Sequence, residues 1–264
     1  MGTLSSLASD FSLAHVAMLV TILAASAVMS GLSGFGFSAI GALSLFVLPP
    51  LLAVPLLMTL STANQMLSLN QLKADFKPLK EWWPDGPAPY LLGGAFGVPL
   101  GLLILHSVPT ALLMALVGAF LITYALYSML KPDSLRVRLK GGWRSSALVG
   151  MSGGIIGGFT AFPGAAVVTW SGLRHLPKRE SRSVVQPYIL GLQVLSLILL
   201  ALQRPATFDR KYWTLLEITL PVVLPCTLLG VNLYKNLSDI NFRRITFVLL
   251  AISGVALVIK AATH

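Results

Sequence analysis

The sequence has one cysteine, Cys226, in 264 residues, and only nine acidic side chains against nineteen lysines and arginines. A single cysteine excludes a disulfide framework and a thiolate metal site. Charged residues make up 11% of the chain, roughly half the share of a soluble globular domain. No Lys or Arg occurs before Lys73, which argues against a cleaved signal peptide with its basic leading region. The net charge of +10 does not indicate nucleic acid as a partner. The basic residues are scattered through short loops, and no basic face interleaved with aromatics forms.

What the chain has in abundance is apolar surface, at 55% hydrophobic residues and a mean hydropathy of +0.81. These values indicate an all-α, multi-pass protein of the cell (inner) membrane, with lipid as its surroundings. Residues 11–48 form one nearly uncharged run, too long for a single span of roughly 17–25 residues. Further apolar spans are expected at 51–72, 89–105, 110–130, 145–173, 183–203, 212–234 and 242–260. Residues 131–144 make the only polar linker of any length.

A glycine-rich stretch occurs twice. Residues 29–39 and 151–161 both fit M-S-G-x-x-x-x-G-F-[S/T]-A, 122 residues apart. At the same offset Asn64 aligns with Gln186 and Gln71 with Gln193. After an insertion of 7, Gly101 aligns with Gly230. The sequence therefore predicts two repeats, 1–130 and 145–264, joined by the linker 131–144. Each repeat has four hydrophobic segments, the first broken by glycine. Broken backbone inside a bilayer must be buried in protein or line a watered cavity, because lipid cannot satisfy it. Paired breaks in two half-chains point to a transporter's binding site. The alternative is close packing of helices through small residues.

Charge placement bears on topology. If each broken stretch crosses the bilayer once, the 19 Lys and Arg divide 12 to 7. If each dips in and returns, the division is 15 to 4, with only Arg204, Arg210, Lys211 and Lys260 opposite. The positive-inside rule favours the second arrangement. It leaves three full crossings per half and makes the repeats inverted, as in many secondary transporters.

Gly34-Phe-Gly-Phe-Ser38, Gly157-Gly-Phe-Thr-Ala-Phe-Pro-Gly164 and Phe242-Arg-Arg244 resemble the signatures of the sulfite exporter TauE/SafE family of membrane transporters. Length and the two sets of four hydrophobic segments fit as well. The resemblance implies transport, often export, of small organosulfur or inorganic sulfur anions. The first copy departs from the glycine-then-proline form, with Ile40-Gly41 where the second has Phe162-Pro163-Gly164.

An anion in a membrane can be held by backbone N–H groups at a half-helix N-terminus. Gly34, Gly36, Gly157 and Gly158 would let it approach the backbone, with Ser38 and Thr160 as added donors. The alternative for each hydroxyl is a bond to a carbonyl of its own helix. On the second span Ser61, Asn64, Ser68 and Gln71 share one helical face, as do Ser183, Gln186, Gln193 and Ser196 on its counterpart. Asn64, Gln71, Gln186 and Gln193 are expected to contact substrate; the alternative is interhelical hydrogen bonding. Tyr188 and Trp170 are weaker candidates. His15, His106 and Glu217 read as interfacial residues, and a coupling proton would travel with the anion or through one of them. No metal or cofactor is expected, and the sequence is silent on oligomeric state.

Two other functions fit parts of the sequence. Gly31-Leu-Ser-Gly34 matches the G-x-S-G of intramembrane serine proteases. That chemistry needs a histidine base within reach of the serine, and His106, His175 and His264 lie at span ends or in loops. An anion channel could use a similar lining.

Overall fold

The computed structural model describes residues 12–71, 78–130, 142–174 and 176–234, with short pieces of the C-terminal segment between 251 and 262. The linker 131–144 (apart from 142–144), Phe242-Arg-Arg244 and most of the span expected at 242–260 lie outside the described residues.

Among the described residues every regular element is helical. The helices are Leu13–Ser33 (α1), Phe37–Gly41 (α2), Pro50–Gln71 (α3), Ala88–Ser107 (α4), Thr110–Leu130 (α5), Trp143–Thr160 (α6), Gly164–Leu173 (α7), Lys178–Gln203 (α8) and Arg210–Tyr234 (α9). A 3-10 turn, Ala42–Phe46, continues α2. Six of these helices are long and apolar enough to cross a membrane: α1, α3, α4, α5, α8 and α9. At 1.5 Å per residue, the 21 residues of α1 reach about 31 Å, close to the thickness of a hydrocarbon core.

The helix starts follow local chemistry. Ser12 accepts from the His15 backbone N–H at the start of α1, and Asp209 Oδ1 accepts from Tyr212 N at the start of α9. Both are side-chain caps of otherwise orphaned donors. Pro50 opens α3, where a missing N–H costs nothing. One start differs from expectation. α8 begins at Lys178, five residues before the span expected at 183. Charged side chains do not end a helix, and Pro177 is what precedes this one. Arg182 is therefore helical, and it is buried.

Glycine governs how the helices pack. Gly93, Gly97 and Gly101 of α4 meet Ala147, Met151 and Ile155 of α6, while Gly150, Gly154 and Gly158 of α6 meet Tyr90, Gly94 and Gly101. Contacts advance together along both helices, so the two run parallel. Small residues every fourth position let backbones approach this closely. Gly31 of α1 and Gly230 of α9 make the matching close approach elsewhere. The helix before each break thus lies against a helix from the other half of the chain, although α6 runs unbroken through its glycines and ends at Ala161. α3 and α8 pack against each other between these pairs.

In both broken stretches a residue past the break contacts the helix before it. Gly34, at the end of α1, lies beside Gln65, whereas Gly41 lies against Leu57 and Ser26. The second arm therefore runs back along the first. In the other half Pro163, just before α7, packs on Gly153 and Gly157 of α6. Further along, α7 and α6 share a cleft of about 370 Å³ lined by Val149, Ser152, Trp170 and Leu173.

Candidate functional site

The first break is made by Gly34 at φ 74° and Gly36 at φ 92°. These left-handed conformations suit glycine and end α1. The last carbonyls of a helix have no intrahelical partner, and in an apolar setting they must find one. Gln65 Nε2 donates to Gly34 O at 3.1 Å, and Arg182 Nη2 donates to Gly31 O at 3.3 Å. A guanidinium also suits the negative end of the helix dipole.

Arg182 and Gln186 sit one turn apart on α8 and both face the break. A Cβ on Gly34 would lie 2.9 Å from Arg182 Nε and from Gln186 Nε2. Gln186 is wholly buried, yet neither its Oε1 nor its Nε2 has a hydrogen-bond partner. Gln65 Oε1, Ser38 Oγ and Ser68 Oγ are likewise buried and unpaired. Ser38 lies in the first turn after the break and Ser68 one turn beyond Gln65. An unfilled buried polar atom costs about 1–3 kcal/mol, so a cluster of them beside a guanidinium calls for a ligand or water. Arg182 supplies a positive charge. The chemistry of the group fits a small oxyanion.

The second break repeats the local bonding of the first but not its polarity. Thr160 Oγ1 donates to Ile156 O at 2.7 Å and accepts from Phe162 N. Ser33 Oγ donates to Met29 O at 2.8 Å, and accepts from Phe35 N while also bonding Phe35 O. Gln193 Nε2 donates to Ala161 O at 2.8 Å, as Gln65 does to Gly34 O. These matches run at offsets of 127 and 128 instead of the 122 of the glycine motif. Ser33 is thus the counterpart of Thr160, and Gln65 that of Gln193.

Protein already fills the faces of the second glycine cluster. A Cβ on Gly157 would meet Pro163 at 2.5 Å, and one on Gly158 would meet Gly101 Cα at 2.7 Å. Close packing, the alternative stated for such clusters, describes these two glycines. Gly36 differs, since a Cβ there would meet only Ser33 Oγ, at 3.5 Å. The two breaks approach each other: Phe35 Cβ is 3.7 Å from the position of a Cβ on Gly164.

Several of the remaining expected residues are bonded within the protein. Asn64 Nδ2 donates to Ser30 Oγ at 2.6 Å and its Oδ1 accepts from Thr227 Oγ1 at 2.7 Å, so it ties α1, α3 and α9 together. Gln71 ends α3, and its side chain lies outside the described residues. Tyr188 donates to Gly150 O at 2.6 Å. Trp170 Nε1 is buried without a partner. His106 Nδ1 pairs with Leu102 O, His15 Nδ1 with Ser12 Oγ, and Glu217 is exposed.

Sequence reasoning missed Arg182 and Gln65. Arg182 stands four residues before Gln186, the spacing of one helical face, but its charge sets it among the basic residues between spans. Gln65 adjoins Asn64 and was hidden by the 122-residue register.

Among curated proteins and solved structures, none matches the chain. Residues 18–257 match the family model described as Sulfite exporter TauE/SafE. With nearly its whole length matched, and with the helices and paired breaks that its signatures led one to expect, the chain belongs to the TauE/SafE family.

Proposed function

We propose that the protein is a secondary transporter of the inner membrane, working as an exporter of small sulfur-containing anions such as sulfite or organosulfonates. The anion is held at the first break, between α1 and α3 of one half and α8 of the other. The observation that carries this is Gln186, buried with both amide atoms unpaired beside the Arg182 guanidinium and the left-handed Gly34. The family match supports the substrate class.

Residues 1–130 and 145–264 serve as two inverted repeats, each with a re-entrant hairpin at its start. Support comes from the shared bonding at the two breaks and from second arms that fold back along the first. Cross-packing of each broken helix on the opposite half would let one half rock against the other around the anion, which is how such repeats alternate access.

Thermal shift of the purified protein against sulfite, thiosulfate, sulfonates and carboxylates tests the function. A bound ligand raises stability by RT ln(1 + [L]/Kd), so a substrate should separate from its neighbours in the series. Arg182→Gln should weaken binding by about 10- to 150-fold, the loss of one charge-assisted contact. Undiminished anion binding by Arg182→Gln would remove the first break as the site. Accumulation against a gradient in proteoliposomes separates a carrier from an anion channel.

A further inference from the structure

The proposed function requires only that an anion bind at the first break, but the unpaired atoms there narrow the choice of anion. Gln186 Oε1 accepts nothing. Gln65, 1% exposed, commits its Nε2 to Gly34 O, which leaves its Oε1 as a second unfilled acceptor. Exchanging O and N of the Gln65 amide would set two carbonyl oxygens against each other, so its orientation is fixed by its partner. In Gln186 both amide atoms are buried and unfilled. Both amide heads lie against the same residue, Gly34.

A bare oxyanion offers acceptors alone. It could take a hydrogen bond from Gln186 Nε2, but it would leave both glutamine oxygens unfilled and turn their negative ends toward its own charge. Buried acceptors left in that state are costly. Ser38 and Ser68 do not change this, because a hydroxyl can rotate to give or to accept.

Resting on the transporter reading of this site, we infer that the first break selects a monoanionic oxyanion that also carries a hydrogen-bond donor. Such ligands are a protonated oxyanion, of which hydrogensulfite is the smallest sulfur example, or a hydroxysulfonate. Gln186 and Gln65 read the donor, and Arg182 reads the charge. A protonated oxyanion would cross with its proton still attached, moving one negative charge in place of two.

The test compares isethionate with ethanesulfonate, two sulfonates that differ by one hydroxyl, as ligands of the purified full chain at one pH. Isethionate should bind about tenfold or more tightly, because a site with buried acceptors rejects the analogue that lacks the donor. Sulfite should lose affinity as pH rises through its second dissociation, while isethionate binding holds; ethanesulfonate controls for titration of the protein. This arm separates a protonated oxyanion from a hydroxysulfonate.

In Gln186→Met an unpaired amide gives way to an apolar chain of similar length. The melting temperature without ligand should hold or rise, and the preference between the two sulfonates should fall to about twofold or less. Equal affinity of the wild-type chain for both sulfonates would overturn the inference and leave the transporter reading standing. Failure of all three ligands to bind would overturn both. A sharply lower melting temperature in Gln186→Met with the preference intact would make the amide structural, and the inference would fall.

Discussion

Asn64 and Gln186 are both buried amides that the sequence placed on polar helical faces, yet the structure gives them opposite situations. Asn64 is bonded on both sides, to Ser30 and Thr227, while Gln186 is bonded to nothing. Removing a satisfied amide costs stability; removing an unsatisfied one does not. Asn64→Leu should therefore lower stability by about 1–2 kcal/mol while leaving anion affinity unchanged, as read by melting temperature and by ligand titration of the same sample. Gln193→Ala should behave in the same way, because it strands the Ala161 carbonyl in an apolar setting, at about 1–3 kcal/mol. A loss of affinity at full stability in either variant would return that residue to the binding site.

At the scale of the element, the glycines divide by what surrounds them. Those of α4 and α6 are where two backbones touch, and a methyl group on Gly158 would have to displace the main chain at Gly101. Neighbouring backbone cannot rotate away as a side chain can. Gly158→Ala should therefore sharply reduce the yield of folded, monodisperse protein, and wild-type yield would defeat the packing account. Gly36 has space around it, and its cost for a side chain is conformational, at φ 92°. Gly36→Ala should fold with a loss of about 1–2 kcal/mol, measurable as a lowered melting temperature. The same motif letter thus serves contact in one break and backbone geometry in the other.

Across the whole molecule, the proposed inverted, re-entrant topology can be tested by where the loops lie. Lys80 should lie on the cytoplasmic side and Arg210 on the opposite side. Single cysteines at these positions, in a Cys226→Ser background, should react oppositely with an impermeant thiol reagent on intact cells. Equal labelling would defeat the inverted, re-entrant arrangement. The two halves also differ in a way that matters for transport. The first break gathers Arg182, Gln186 and Gln65, whereas at the second the glycine faces are closed by Pro163 and Gly101. A carrier built this way would hold its anion at the first break, with side chains from both halves, and use the second break for packing.

Composition and periodicity were sufficient for the class of protein and for the position of the first break; the second falls just past its glycines, at Ala161. A 38-residue apolar run cannot be one span, and its glycine cluster ends α1 through the left-handed Gly34 and Gly36. The second cluster instead lies inside α6, which runs on to Thr160. The family was legible for the same reason, since its signatures are these local breaks. What bonds to what was not legible, because it depends on which helices lie side by side. The 122-residue motif set a register in the sequence, but the carbonyl ends of α1 and α6 set another, 127 apart, because each helix stops where its backbone turns left-handed. Arg182 was hidden for a related reason: hydropathy marks a charged residue as loop, and only the packing of α8 against the end of α1 shows that its charge is buried. Sequence determined the local conformations, whereas partnership among polar groups was decided by tertiary contacts, which pair residues 31 to 163 positions apart.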